Sequence, residues 1–301
     1  VRWTAMSARR GQPEGETRPP EAQGESGGGE GLRVAITVPA FGEYERAARN
    51  ARAEVLYHQM RHEDGFSLDG PRLAATAAKC HLTFSSNPAS PTGHLYGRRE
   101  LLGVLEACRG SGGTLVLDES FMGFCSREEA ARATLLPEVG EGGLVVISTL
   151  TKIYALAGLR GPGWLAGPRG LVSALEEAAS PWRVNVAAQA AAMAALEDGA
   201  YLELTRAAVR AWREELADGL RAHGMFEVFP SHADFLLLRV SRGGLEAGEL
   251  ADALGIRGVL VRDCRDFRGL EKGFLRVAVR RPEENRRLLE ALAEAVADKR
   301  A

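Results

Sequence analysis

From residue 33 onward, short apolar runs alternate with helix-length stretches, and most of the runs end in polar residues. Arg33 to Val38 is the first run, β-branched and stopped by Pro39. A helix rich in alanine and arginine is predicted over about 43–52. Residues 80–86, Cys-His-Leu-Thr-Phe-Ser-Ser, read as a second buried strand that runs into the turn-forming cluster Asn87 to Gly93. A helix over about 98–108 comes next, then a strand over 114–117 ending in Asp118 and Glu119, then an apolar strand over 144–147. Apolar strands separated by helices predict an α/β fold, a mostly parallel sheet flanked by helices. Sites in such folds lie at the carboxyl ends of the strands.

The second half has a different rhythm. A long helical pattern over about 184–222 is interrupted near Gly199, and its alanines imply close helix packing. Strands are predicted over 226–229, 235–240, 259–261 and 274–279, with a helix over about 246–254. A closing helix starts at Pro282, a favoured first-turn residue. This predicts a large domain over 32–198 and a smaller C-terminal α+β domain over 199–301. Residues 1–31 are rich in Gly, Pro and Glu with almost nothing apolar, and they read as disordered because they cannot bury enough surface to offset ordering entropy. Glutamates interrupt their arginines, which makes a poor organellar transit peptide.

Composition narrows the class. Across 301 residues, 45% are hydrophobic and 26% charged, the balance of a soluble globular chain with a large core. A net charge of −2 gives no general attraction to nucleic acid or to an acidic membrane. The four cysteines are scattered without ligand spacing, no apolar run reaches membrane-spanning length, and no secretory leader is visible, so the expectation is a cytoplasmic protein. His58 and His62 lie four apart but lack a third ligand, and they read as a solvated pair with no metal site.

One stretch concentrates chemistry. The apolar strand ending at Ile147 delivers Ser148-Thr149-Leu150-Thr151-Lys152, followed by a small-residue segment ending in Arg160. A lysine at the end of a buried strand is a place where desolvation favours the neutral, nucleophilic amine. Neighbouring hydroxyls and an arginine suit a phosphate group.

These motifs together resemble the fold-type I pyridoxal phosphate (PLP) enzymes of the aspartate aminotransferase superfamily, over roughly residues 33–298. Within it, the chain is most similar to threonine-phosphate decarboxylases and histidinol-phosphate aminotransferases. The resemblance implies PLP as cofactor, carried by Lys152, with Asp118 facing the ring nitrogen and Phe41 stacked on the ring. It implies Thr149, Thr151 and Arg160 at the cofactor phosphate and Ser90 near the ring oxygen. Arg276 matches the substrate-carboxylate position, and Arg262 and Asn185 are further substrate contacts. The implied partners are a small phosphorylated amino-acid or amino-alcohol substrate and a second copy of the chain in a homodimer, with no nucleic acid and no membrane. Segments Pro181 to Asn185, Val261 to Leu270 and Phe274 to Arg280 resemble the decarboxylase, so decarboxylation of L-threonine O-3-phosphate in cobalamin biosynthesis is the expected activity. A histidinol-phosphate-type aminotransferase and an inactive remnant are the alternatives. Three departures bear on that choice. Ser90 stands where relatives carry asparagine, and Phe121 where histidinol-phosphate aminotransferases carry tyrosine, so both partners of the ring oxygen differ. Arg160-Gly161-Pro162-Gly163-Trp164 is one residue longer than the family's arginine-x-glycine-aromatic pattern, which predicts a slightly displaced Arg160. Residues 1–31 hold no Gly-Asn-Gly helix start, so an incomplete PLP-binding domain is expected.

Overall fold

The computed structural model describes residues 31–241, 246–270 and 272–300. Of the disordered segment expected over residues 1–31, all but Gly31 lies outside the described residues.

The first half comprises β1 (Arg33–Val38), α1 (Gly42–Asn50), β2 (Glu54–Gln59), α2 (Gly70–Ala77), β3 (Leu82–Ser86), α3 (Arg98–Gly110), β4 (Thr114–Asp118), α4 (Arg127–Ala133), β5 (Leu144–Thr149) and β6 (Gly163–Ala166). Six strands form one sheet in the order β2-β1-β3-β4-β5-β6, parallel except for β6. Every residue of β3 is buried, the signature of a strand covered on both faces. The register sets Ser86 beside Asp118 and Asp118 beside Ile147, so the polar ends of β3, β4 and β5 gather along one edge. Helix α3 forms because Leu101, Val104, Leu105 and Cys108 recur at helical spacing, and all four are buried. Truncating Leu101 or Leu105 to alanine there costs about 2–5 kcal/mol.

The second half contains α5 (Arg169–Glu177), α6 (Val186–Glu197), α7 (Gly199–Ala222), β7 (Phe226–Val228), β8 (Phe235–Val240), α8 (Ala247–Ile256), β9 (Arg262–Asp263), β10 (Phe274–Ala278) and α9 (Pro282–Arg300). Its four-stranded sheet runs β7-β8-β10-β9 with antiparallel pairing throughout. Leu216 and Leu220 of α7, Leu250 and Leu254 of α8 and Leu292 of α9 pack with Leu236, Leu238, Leu275 and Val277 of that sheet. Ile153, next to Lys152, is buried in the same cluster, which anchors the lysine loop to the second core. A Cβ at Gly123 would stand 3.1 Å from the Ile153 Cβ, so a side chain there would press on that anchor. The opposite face of the small sheet joins the core of the first half, where Phe66 meets Phe229 edge-on at 5.0 Å.

Several expectations change. Strand β2 and helix α2 fall where no element was predicted, and β6 and α5 follow the lysine loop as further additions. Residues 259–261 are not a strand: pairing starts at Arg262, and Leu260 is 91% exposed. The alanines of α6 do not mark close packing, because only Ala188 of that helix is buried and Val186 is 80% exposed. His58 is buried in β2 rather than solvated, with its Nδ1 unpartnered. Among the described residues no cluster of metal-ligating side chains forms, and no helix is long and apolar enough to cross a membrane.

Candidate active site

A cleft of about 1200 Å³ opens at the carboxyl ends of β3, β4 and β5, and the small sheet closes its other side. Phe41, Ser90, Asp118, Thr149, Thr151, Lys152, Arg262 and Arg276 all line it, although they lie up to 235 residues apart in sequence (276 − 41). Arg160 and Asn185 do not. Arg160 is exposed in the left-handed conformation after a short helical turn. Asn185 caps α6, accepting from Ala188 N at 2.9 Å and donating to the carbonyl of Leu159 at 2.8 Å.

Asp118 ends β4 and forms the floor. Its Oδ2 accepts the Tyr44 hydroxyl at 2.6 Å and its Oδ1 accepts Ser120 N at 2.9 Å. Tyr44 lies fully buried on α1, stacked on Phe84 at 5.5 Å. Burial, then the charge and hydrogen bond of Asp118, push its phenol well above the ordinary value, so it remains a donor to the carboxylate. The sequence reading missed Tyr44. Its signal was an aromatic three residues after Phe41, on the inner face of a short helix, which by itself means only core.

Lys152 sits on the loop after β5, with its Nζ 5.7 Å from the centre of the Phe121 ring. The side chain is exposed to the cleft, which corrects the expectation of a desolvated lysine. Thr149 and Thr151 share a contact at 2.9 Å. Thr149 also reaches the carbonyl of Pro162 at 3.0 Å and accepts Thr151 N at 3.1 Å. With its one proton given to Pro162, Thr149 accepts the Thr151 hydroxyl as well as Thr151 N, and the pair holds the loop together.

The opposite wall carries cations. Arg276 of β10 donates to Ser90 Oγ at 3.2 Å and stacks over Phe235 at 4.9 Å. Burial lowers its guanidinium from the ordinary value, while Cys264 and Asp234 raise it. Arg262, Arg265 and Arg268 line the outer cleft and are paired with Asp266, Asp263 and Glu45 respectively. Ser90, expected near the ring oxygen, thus faces the arginine of the wall, a contact its place in the turn after β3 does not suggest.

PLP requires an amine, a carboxylate for its ring nitrogen, donors for its phosphate and a flat apolar cover. Lys152, Asp118, the Thr151 hydroxyl once turned from Thr149, and the half-exposed ring of Phe41 offer these around a single cleft, and the residues fit the cofactor.

Comparison with known proteins agrees with this geometry. Residues 28–292 match the family described as aminotransferase class I and II. Histidinol-phosphate aminotransferase 2 of Cupriavidus pinatubonensis is 35% identical over 272 residues, covering 89% of this chain and 71% of that protein. Threonine-phosphate decarboxylase of Salmonella typhimurium is 30% identical over 261 residues, covering 86% and 70%. The crystal structure of L-threonine-O-3-phosphate decarboxylase from Porphyromonas gingivalis superposes with a TM-score of 0.73 at 28% identity, over 89% of this chain and 78% of that one. Histidinol-phosphate aminotransferase from Clostridium acetobutylicum shares the fold, with a TM-score of 0.82 at 24% identity over 89% and 79%. The chain belongs to the class I and II aminotransferase family of PLP-dependent enzymes.

Proposed function

We propose that this cleft decarboxylates L-threonine O-3-phosphate to aminopropanol phosphate, the step expected in cobalamin biosynthesis. The observation that carries the reading is the division of the cation wall. Arg276 is half-buried in the cleft and among the described residues has no carboxylate in an ion pair with it, whereas Arg262 and Arg265 are exposed and paired with Asp266 and Asp263. A substrate with both a carboxylate and a phosphate meets both levels, whereas histidinol phosphate has no carboxylate for Arg276.

When bound, PLP supplies an electron sink for the bond broken at the substrate α-carbon. Asp118 holds the proton of the ring nitrogen, and Tyr44 keeps that carboxylate oriented. Arg276 receives the substrate carboxylate in a bidentate fork. Lys152 Nζ delivers the proton to the α-carbon after carbon dioxide leaves. Thr151 would hold the cofactor phosphate, and Arg160 would join it only if its loop turned toward the cleft. Asn185 braces the lysine loop through Leu159 and lies outside the cleft.

A second reading, amino transfer from histidinol phosphate to 2-oxoglutarate, is favoured by the 35% identical relative. Supplying each substrate separately decides between them. Carbon dioxide release without glutamate formation supports decarboxylation, and glutamate formation without carbon dioxide overturns it. A protein that stays colourless with added PLP sinks both readings and leaves the remnant. We also infer a homodimer and a cytoplasmic location. The exposed apolar face formed by Trp182, Val186, Met193 and Leu196 supports the homodimer.

A further inference from the structure

Four carboxylates line the cleft. Asp118 is held by Tyr44, Glu45 by Arg268 and Asp266 by Arg262. The fourth, Asp234, has no side chain hydrogen-bonded or ion-paired to it among the described residues, and its carboxylate accepts only from its own backbone.

Its position is nevertheless well fixed. His232 N donates to the carbonyl of Gly93 at 2.8 Å, Arg213 Nη1 to the carbonyl of Ala233 at 3.0 Å, and Val279 N to the carbonyl of Asp234 at 2.8 Å. A Cβ at Gly93 would stand 2.1 Å from Ser231 Oγ, so the turn and the segment before Asp234 are in direct contact. The next residue, Phe235, meets Phe121 edge-on at 5.1 Å. Each ring carries one cation, Lys152 at 5.7 Å from Phe121 and Arg276 at 4.9 Å from Phe235. The charged groups facing Asp234 are therefore Lys152 from the loop after β5, Arg276 from β10 and Arg213 from α7. Burial raises the Asp234 carboxyl above the ordinary value, and these three cations pull it back.

We propose that Asp234 is a proton-linked member of the anion site, taking one proton from solvent when an anion binds between Lys152 and Arg276. The inference rests on the reading that Arg276 receives an anion. An incoming anion cancels the field that keeps Asp234 ionised and adds a like charge beside it, and both effects favour the neutral acid. No other bond forms or breaks. By linkage, the affinity for the anion rises as pH falls through the Asp234 titration.

Sulfate is a suitable probe because it stays a dianion over this range. Calorimetric titration of the full chain is expected to show sulfate affinity rising severalfold as pH falls from neutral into the carboxylate range. Asp234→Asn is expected to bind at neutral pH as tightly as the wild type does in acid, with no pH dependence. An equal pH slope in the two proteins, or no sulfate binding by the wild type, overturns the proposal. Should the variant fail to fold, the wild-type Asp234 carboxyl can be followed by carbon-13 NMR, assigned through Asp234→Glu. Its midpoint is expected to move upward with sulfate, and an unmoved midpoint is the opposing result. None of these measurements uses PLP, so loss of the cofactor reading would appear separately, as a colourless protein.

Discussion

The floor and the wall of the cleft are built by opposite means. The floor residues Asp118, Thr149, Thr151 and Lys152 come from the ends of two adjacent parallel strands and the loop after the second. Their placement follows from local rules, because an apolar strand that ends in polar residues presents them at the sheet edge. The wall is assembled across long sequence separations. Arg276 meets Ser90 over 186 residues and Arg268 meets Glu45 over 223. Chemistry that must stay aligned sits on rigid strand ends, and the groups that select a substrate sit on a second sheet that must dock correctly. Floor substitutions should therefore abolish turnover, whereas wall substitutions should weaken binding.

The largest expected effect tests the floor. Lys152→Ala removes both the amine that carries the cofactor and the group that moves the proton, so turnover is expected to fall about a thousandfold or more. The visible absorbance of the PLP-loaded protein should vanish with it, while far-ultraviolet circular dichroism stays unchanged because the side chain is exposed. An absorbing, active Lys152→Ala protein would place the chemistry elsewhere.

The same contrast governs what the sequence reveals. β1, β3, β4, β5 and the closing helix were all legible, because each is a continuous apolar run or a clear helical pattern. The break between α6 and α7 was legible too, since Asp198 both ends one helix and caps the next by accepting Tyr201 N at 2.9 Å. β2 was missed because Glu54, His58 and Gln59 dilute its apolar residues, and its burial comes from pairing with β1. The alanine run of α6 misled because small apolar residues serve equally at a packed seam and on an exposed face. At the site, Asp118 and Lys152 were found at their strand ends. Tyr44 and Asp234 were not, since each gains meaning only through a partner far along the chain.

The wall is tested by Arg276→Lys. Lysine keeps the charge but loses the planar fork, the contact with Ser90 and the stacking on Phe235. KM for the phosphorylated amino acid is expected to rise about tenfold to a hundredfold, the worth of a charged hydrogen bond, with a smaller change in kcat. A fall in kcat equal to that in kcat/KM would move Arg276 from the wall to the floor and erase the distinction.

The smallest effect concerns the clasp that ties the wall to α1. Arg268 meets Glu45 with two bonds at 3.0 Å and lies over Tyr57 at 4.2 Å, while Arg49 reaches the same carboxylate at 2.6 Å. Hydrogen bonding from Arg268 is the main influence holding the Glu45 carboxyl below its ordinary value. A carboxyl depressed in the folded state contributes stability that is fully present above its unfolded pKa and is lost as pH falls through its folded one. Because the pair is solvent-exposed and salt-screened, Glu45→Gln is expected to cost at most about 1 kcal/mol at neutral pH. The gap between variant and wild type in urea unfolding should narrow as pH falls below the ordinary glutamate range and close once pH has passed through the depressed folded value. A gap that persists in acid would mean that Arg268 holds the wall through its packing on Tyr57 rather than through charge. In that case Tyr57→Ala should open the clasp at every pH.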